Sequence, residues 1–325
     1  MKAVLVERLS PDLSGVRLAD VPVPQRRPGE VLVRMRAASL NYPDLLMTRG
    51  TYQFKPEPPF VAGLEMAGEV VDADAGSGFA PGMRVMGGAK TGAFAEVVAL
   101  PAISLRAVPD GLDYPAAASL GAAYTTAWTA LCELGGMKEG YWVLVHGASG
   151  GVGLAACDLA SALGSRVIAA THDAAKAERI AAAVAPEAVI VNEGRFRERV
   201  AELTGGDLCE LVLDPVGGDV FDESTRCVAF GGKLLVVGFV AGRIPEIAVN
   251  IPLIKGFAVV GVRAGEYARR FPDRGARIAA EIASLASAGR IAPVIDRVLP
   301  LSDWQQGCAA MAAGELVGKV VFQPG

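Results

Sequence analysis

The run Val143-Leu144-Val145-His146-Gly147-Ala148-Ser149-Gly150-Gly151-Val152-Gly153 constrains the fold of this chain more than any other stretch. An apolar segment closes in a glycine turn, positions 154–163 carry no helix breaker, and a second apolar run follows at 166–170. Strand, tight turn, helix and strand in that order make one βαβ unit. Glycines at 147, 150 and 153 leave room where the backbone turns, approaches a pyrophosphate and packs helix on strand, and the helix N-terminus offers unpaired N–H groups to phosphate. Any tight turn uses glycine, but this triad follows a strand and opens a helix. The expected ligand is a dinucleotide held by Ser149, Gly150, Gly151 and Val152.

The rest of the chain is long enough for more than that unit. At 325 residues, two domains are expected, and a 52% hydrophobic content fills both cores. The 31 basic and 35 acidic residues are mixed without long blocks, so no nucleic-acid partner is expected. Two uncharged stretches, 114–132 and 141–157, are diluted with Gly, Ser, Thr and Tyr and read as buried soluble elements rather than membrane spans. The first residues carry charge too early for a signal peptide, so a cytoplasmic location is expected. Cys132, Cys157, Cys209, Cys227 and Cys308 are widely spaced and read as reduced, buried thiols. With His146 and His172 as the only histidines, local ligand spacing assembles no zinc cage.

Along the chain, residues 1–110 read as short strands at 3–6, 31–37, 61–71, 84–86 and 94–98, punctuated by Pro and Gly, in the manner of a partly closed barrel. The polar and aromatic segment 39–52 lies in a non-strand connection and is free to face a cleft. Helix is expected over 114–134. Beyond the βαβ unit, strands at 188–191, 210–213, 233–239 and 257–262 alternate with helical runs at 174–183, 194–203 and 220–228, the pattern of a parallel sheet covered on both faces. Ile278, Ile282 and Leu285 make one helix face, and strand 294–299, helix 304–311 and strand 318–322 finish the chain. The reading is α/β, with a β-rich domain from 1–122 and 264–325 and a doubly wound parallel-sheet domain from 123–263.

Asn41-Tyr42-Pro43-Asp44, Gly63-Leu64-Glu65-Met66-Ala67-Gly68, His146 through Gly153, Asp214-Pro215-Val216-Gly217-Gly218 and Gly318-Lys319-Val320-Val321 occur in register over nearly the whole chain. Together they resemble the medium-chain dehydrogenase/reductase superfamily, in its quinone oxidoreductase branch. The resemblance implies a GroES-like catalytic domain, a Rossmann domain, and a homodimer paired through sheet edges. Zinc alcohol dehydrogenases of the superfamily carry a histidine where this chain has Leu64, and a cysteine in the segment that here reads 39–44; a structural cysteine cluster is also missing from 84–104. Metal-free hydride transfer is therefore expected, with no metal ligands.

The choice of cofactor rests on the end of the second strand of the unit, where a carboxylate would bind the ribose of NAD and repel a 2′-phosphate. Thr171 stands there, followed by His172, and Lys176 and Arg179 are placed to pair a phosphate. Family quinone reductases are similar in using a lysine near that place, so NADPH is expected. Against it, Asp173 lies twenty residues after Gly153, and Asn192 takes the place of a tyrosine that relatives present to the phosphate. Lys176 has the alternative reading of a solvated helix residue.

Hydride transfer to a quinone or an α,β-unsaturated carbonyl needs a donor for the developing oxygen charge. Related enoyl reductases use a tyrosine at the end of the segment that closes here with Tyr52, so Tyr52 is the first candidate; its alternative is loop packing. Asn41 either binds substrate carbonyl or cofactor amide, or bonds the turn before Pro43. Asp44 either orients Tyr52 or Asn41, or caps a helix. Thr126 resembles the position that touches the nicotinamide in relatives. Val216, in the loop after the fourth strand, comes near the cofactor, and Phe239 and Val240 line the nicotinamide site. Arg263 either attracts an anionic substrate or forms an ion pair, and Lys319 resembles a closing-motif lysine that touches the cofactor. Asp214 is read as a loop-fixing acceptor and His146 as a histidine held by neighbouring backbone. The expected activity is a zinc-free, NADPH-dependent reduction of quinones or conjugated carbonyls in a cleft between the two domains. The alternatives are an enoyl-thioester reductase and a non-catalytic NADPH-binding protein.

Overall fold

The computed structural model describes residues 1–192 and 194–325, and the chain divides into two compact units, one of Met1–Ala122 with Ile295–Gly325 and one of Ala123–Val294. The first unit opens with β1 (Lys2–Val6), β2 (Val16–Asp20) and β3 (Glu30–Ser39), then α1 (Tyr42–Arg49). β4 (Phe60–Val61), β5 (Glu65–Ala73), β6 (Arg84–Gly88), β7 (Val97–Pro101) and β8 (Leu105–Ala107) precede α2 (Tyr114–Trp128), which runs into a π-helical turn at Thr129–Leu134. β1 lies antiparallel between β2 and β4. β3 is the spine of the larger sheet, pairing β5 along its length and β7 along its first half. Register shifts at Leu32/Val33 and Met35/Ala37 bend that pairing, as bulges do. The inner faces bury Val31, Val33, Met35, Leu40, Phe94 and Phe322, the last two rings meeting edge to face at 5.1 Å.

The segment 39–52, expected as an open connection, folds into α1. Asn41 stands at its N-cap in extended conformation, Pro43 lies in its first turn where a missing N–H costs nothing, and Gly50 ends it at φ 72°.

The second unit alternates strand and helix: β9 (Trp142–Val145), α3 (Gly151–Ala162), β10 (Arg166–Thr171), α4 (Ala174–Val184), β11 (Ala188–Val191), α5 (Arg197–Leu203), β12 (Cys209–Asp214), α6 (Gly218–Ser224), β13 (Val228–Val236), α7 (Asn250–Lys255), β14 (Ala258–Gly261), α8 (Ala264–Arg270) and α9 (Pro272–Ser287). The six strands are all parallel in the order β11-β10-β9-β12-β13-β14. That is the doubly wound Rossmann order, and it puts the direction switch beside β9. β15 (Ile295–Pro300), α10 (Trp304–Ala312) and β16 (Lys319–Gln323) then complete the first unit, β16 pairing with β15 and β3.

The expected boundary at 263/264 moves to 294/295. α8 and α9 belong to the nucleotide unit because Glu133, in the π-helical turn, accepts hydrogen bonds from Tyr267 (3.0 Å) and Arg277 (2.6 Å), and Ala292 N donates to Asp158 of α3 (2.9 Å). The apolar face of Ile278, Ile282 and Leu285 says that α9 is packed, not against which sheet. Among the described residues no helix is long and apolar enough to cross a membrane; the uncharged stretches became α2 with part of its π-helical extension, and β9 with the turn and half of α3.

Candidate functional site

β9 ends at the buried Val145, and the chain turns through Gly147 at φ 57°, a conformation that favours glycine. At Gly153 a Cβ would come within 2.3 Å of the Gly147 carbonyl oxygen, so that glycine exists for contact between helix and turn. Gly150 differs: a Cβ there would meet nothing nearer than 3.4 Å, and as N-cap of α3 it supplies no side chain to the helix end. The first-turn N–H groups at Gly151 and Val152 therefore face outward with the positive end of the helix dipole behind them. Ser149 is half-buried just before them. Helix N-termini of this kind attract anions, and this one lies at the switch point of the sheet.

The next strand end carries no carboxylate. Thr171 is buried, its Oγ1 accepting from Asp173 N (3.2 Å) and its carbonyl from Asn192 N (2.7 Å). Asp173 is the N-cap of α4, its carboxylate accepting from Ala175 N at 2.8 Å. Lys176 is only 6% exposed, which sets aside the solvated-helix reading, whereas His172 and Arg179 are exposed.

Across the switch point, Asp214 is buried and its Oδ1 accepts from Val216 N (2.8 Å) and Gly217 N (2.9 Å), the loop-fixing arrangement. Burial raises its carboxyl above the usual range. This loop holds the one after β13: Val240 N and Ala241 N bond the carbonyls of Pro215 and Val216, leaving Phe239 and Val240 exposed beside Val216. Thr126 is half-buried on α2. Arg263 is exposed beyond β14, and its carbonyl starts α8 by accepting from Glu266 N and Tyr267 N. His146 is held not by backbone but by two side chains, Asn192 and Ser224.

In the first unit a buried polar cluster gathers residues of β3, α1, β5, α2 and β16. Asn41 Nδ2 donates to Glu65 Oε1 (3.0 Å) and to the Ser39 carbonyl (3.1 Å), while Asn41 Oδ1 accepts from Lys319 Nζ (2.7 Å). Lys319 also reaches Glu65 Oε1 at 3.3 Å, and Glu65 Oε2 accepts from Ala122 N at 2.8 Å. Asn41 and Lys319, expected at substrate or cofactor, thus spend their polar groups on one another and on Glu65. Both Lys319 and Glu65 are buried, and an enclosed pair of this kind depends on the hydrogen bonds that Asn41 and the Ala122 backbone add to it. Asp44 Oδ2 accepts from Asn41 N (2.8 Å), so Asp44 orients Asn41 and starts α1; its Oδ1 is buried with no hydrogen-bond partner among the described residues, and burial pushes its carboxyl up to about 7. Tyr52 lies past the end of α1, half-buried, its backbone N donating to Leu46 O (3.2 Å).

Glu65 and Ser224 were not singled out from sequence. Glu65 had a readable signal, since a carboxylate between the apolar neighbours Leu64 and Met66 at a strand start needs a partner if it is buried. Ser224 had none.

Two family models match the chain, the alcohol dehydrogenase GroES-like domain over residues 27–110 and the zinc-binding dehydrogenase domain over residues 151–281. The quinone oxidoreductase of Pseudomonas aeruginosa is 33% identical over 303 residues, covering 91% of this chain and 92% of that protein. A segment making up 8% of erythronolide synthase from Saccharopolyspora erythraea is 34% identical over 93% of this chain. A mycobacterial protein solved in complex with NADPH superimposes with a TM-score of 0.90 at 30% identity, each chain covered completely. With its GroES-like and Rossmann units and these relatives, the chain belongs to the quinone oxidoreductase branch of the medium-chain dehydrogenase/reductase superfamily.

Proposed function

We propose that this protein is an NADPH-dependent oxidoreductase that reduces quinones or α,β-unsaturated carbonyl compounds without a metal ion. The observation that carries the reading is the end of β10, where neutral Thr171 stands in place of a ribose-binding acid, Lys176 lies close in sequence, and Asp173 is committed to capping α4. The bare first turn of α3, the open flank of Gly150 and the buried Asn192 Oδ1, which has no hydrogen-bond partner among the described residues, fit a dinucleotide. Bound NADPH supplies the hydride.

The chain's own residues hold and polarise. Gly151 and Val152 N–H groups bind pyrophosphate, and Lys176 serves the 2′-phosphate. Thr126, Val216, Phe239 and Val240 border the nicotinamide. Tyr52 donates its phenol hydrogen to the acceptor's carbonyl oxygen as charge develops there. Asn41, Asp44, Glu65 and Lys319 act as positioning residues that fix the segment leading to Tyr52. Ligand chemistry supports the metal-free reading: Leu64 offers no donor, and the ammonium of Lys319, 2.7 Å from Asn41 Oδ1, is a cation that another cation would have to displace. Among the described residues no three His, Cys, Asp or Glu side chains stand close enough to hold a metal.

The test follows loss of reduced-cofactor absorbance with NADPH and NADH over a panel of quinones, enones and enoyl thioesters. Turnover with NADPH preferred and unaffected by chelator is expected. Tyr52→Phe should slow enone reduction about tenfold or more at unchanged NADPH affinity, with quinones, which need little acid assistance, less affected. A preference for NADH removes the phosphate reading, and NADPH binding without turnover on any acceptor would leave a non-catalytic binding protein. The second enzymatic reading, an enoyl-thioester reductase, is favoured by the similarity to a segment of erythronolide synthase and by the exposed Arg263, which suits a phosphorylated carrier. Selective turnover of the thioesters would establish it.

A further inference from the structure

His146 closes β9 completely buried, with the Phe196 ring 4.9 Å from its own. Its Nε2 lies 2.8 Å from Ser224 Oγ and its Nδ1 3.3 Å from Asn192 Nδ2. The direction of each bond follows from hydrogen counting. Ser224 has one hydroxyl hydrogen, and it goes to the Val220 carbonyl at 2.6 Å. Toward His146, Ser224 therefore offers only a lone pair, so Nε2 must carry the ring hydrogen. The ring is neutral, because burial drives its pKa down to about 3, and a neutral ring protonated at Nε2 has a bare Nδ1. Only the NH2 end of Asn192 can face a bare nitrogen.

The carbonyl end of Asn192 is then fixed as well. Its backbone N donates to Thr171 O at 2.7 Å, which anchors the residue beside the end of β10, and its Oδ1 is buried with no hydrogen-bond partner among the described residues. An enclosed acceptor left unpaired is costly, so the site favours a ligand group that brings a hydrogen. A phosphate dianion has none to give.

We infer that the chain Val220–Ser224–His146 sets the amide of Asn192 so that its oxygen accepts a hydrogen bond from the adenosine half of the dinucleotide, which makes Asn192 a reader of an adenine amino or ribose hydroxyl group and His146 its positioning residue. The inference rests on the dinucleotide reading above. It reverses the role expected for this position, since Asn192 serves not as a lost phosphate contact but as an acceptor for a neutral donor. Lys176 and Asn192 then divide the adenosine half between them, one taking the anion and the other a neutral donor.

The test is calorimetric binding of 2′-phospho-ADP-ribose, its inosine counterpart and its 3′-deoxyadenosine counterpart to wild type, Asn192→Ala and Ser224→Ala. One analogue should bind wild type about 5–10-fold more weakly than the parent, the loss of one hydrogen bond. A penalty on the inosine compound identifies the amino group, and a penalty on the 3′-deoxy compound the hydroxyl. Asn192→Ala should abolish that penalty, and Ser224→Ala, which frees the tautomer, should shrink it. Equal binding of all three compounds, or a penalty surviving in Asn192→Ala, overturns the inference while leaving the nucleotide site intact. Nitrogen NMR of the free protein gives a ligand-independent check, with His146 expected to be protonated at Nε2 and bare at Nδ1; the opposite tautomer also overturns it. If the parent compound does not bind wild type at all, the dinucleotide reading fails and takes this one with it.

Discussion

Asp44 and His146 are enclosed in different units, and lack of water shifts each toward its neutral form. Their effects on stability have opposite signs. The Asp44 carboxyl rises from about 3.9 in the unfolded chain to about 7, against the pull of Lys319 and with the push of Glu65. Between those values the folded state binds the extra proton, so this contribution is complete below pH about 4 and is lost as pH rises through about 7. The His146 ring falls from 6.5 to about 3, so there the unfolded state binds the extra proton. Its contribution is complete above pH about 6.5 and is lost as pH falls toward 3. In the wild type the two slopes partly cancel, and single variants separate them. Denaturant unfolding from pH 4 to 8 should show Asp44→Asn gaining on wild type as pH rises from 4 to 7. His146→Gln should gain as pH falls below 6.5, each by at most about 1.4 kcal/mol per pH unit. A difference between Asp44→Asn and wild type that stays flat across this range would mean that the carboxyl is already ionised.

The turn between β9 and α3 makes a sharper distinction, because its glycines have different jobs. A methyl at Gly153 would lie 2.3 Å from the Gly147 carbonyl and 2.8 Å from Ala148 Cα, both backbone atoms that cannot step aside. Gly153→Ala should therefore push α3 off the sheet, lowering thermal stability by several degrees or more and NADPH affinity with it. A methyl at Gly150 meets only an ordinary contact at 3.4 Å in unstrained backbone, yet it would stand at the helix end proposed to hold the pyrophosphate. Gly150→Ala should weaken NADPH about tenfold or more while shifting the melting temperature little; equal losses in both variants would make the turn merely structural. Such elements were legible because they are buried on both faces: Val143–Val145 and Val167–Ala170 read as apolar runs whatever the rest of the chain does. β2, with Arg17 and Asp20 facing solvent in five residues, and α7, six residues with Pro252 inside it, escape the same reading. α1 was hidden by its own start, since Asn41 and Pro43 signal a turn and a helix N-terminus equally well. At the candidate site, residue types and neighbourhoods were visible, but hydrogen-bond partners were not. That Lys319 bonds Asn41 across 278 positions is decided by the pairing of β16 with β3, which no local pattern encodes.

For the molecule as a whole, the sheet of the second unit leaves a question of assembly. β14 is its outer strand on one side, and the sequence Ala-Val-Val-Gly carries none of the charges or prolines that ordinarily protect an edge from pairing. Exposed apolar side chains accompany it: Phe230 is 89% exposed, Leu253 80% and Ile254 73%, with Val249 and Val259 also open. Phe230 is tied to the same region, since its ring covers Gly256 and Gly231 N bonds the Gly256 carbonyl at 2.6 Å. An apolar group of this kind on an unprotected edge is suited to pairing with another chain. We propose that two copies pair through β14, continuing the sheet from one protomer into the next with α7 and Phe230 packed alongside, the assembly expected from the family resemblance. Light scattering should give the mass of a dimer for wild type. Val259→Lys combined with Leu253→Asp should give a monomer by placing charge on the edge and in the patch. Two strands, β12 and β13, separate β14 from the turn after β9, so NADPH affinity should survive in that monomer. A monomeric wild type, or a dimer indifferent to both charges, excludes this edge as the contact.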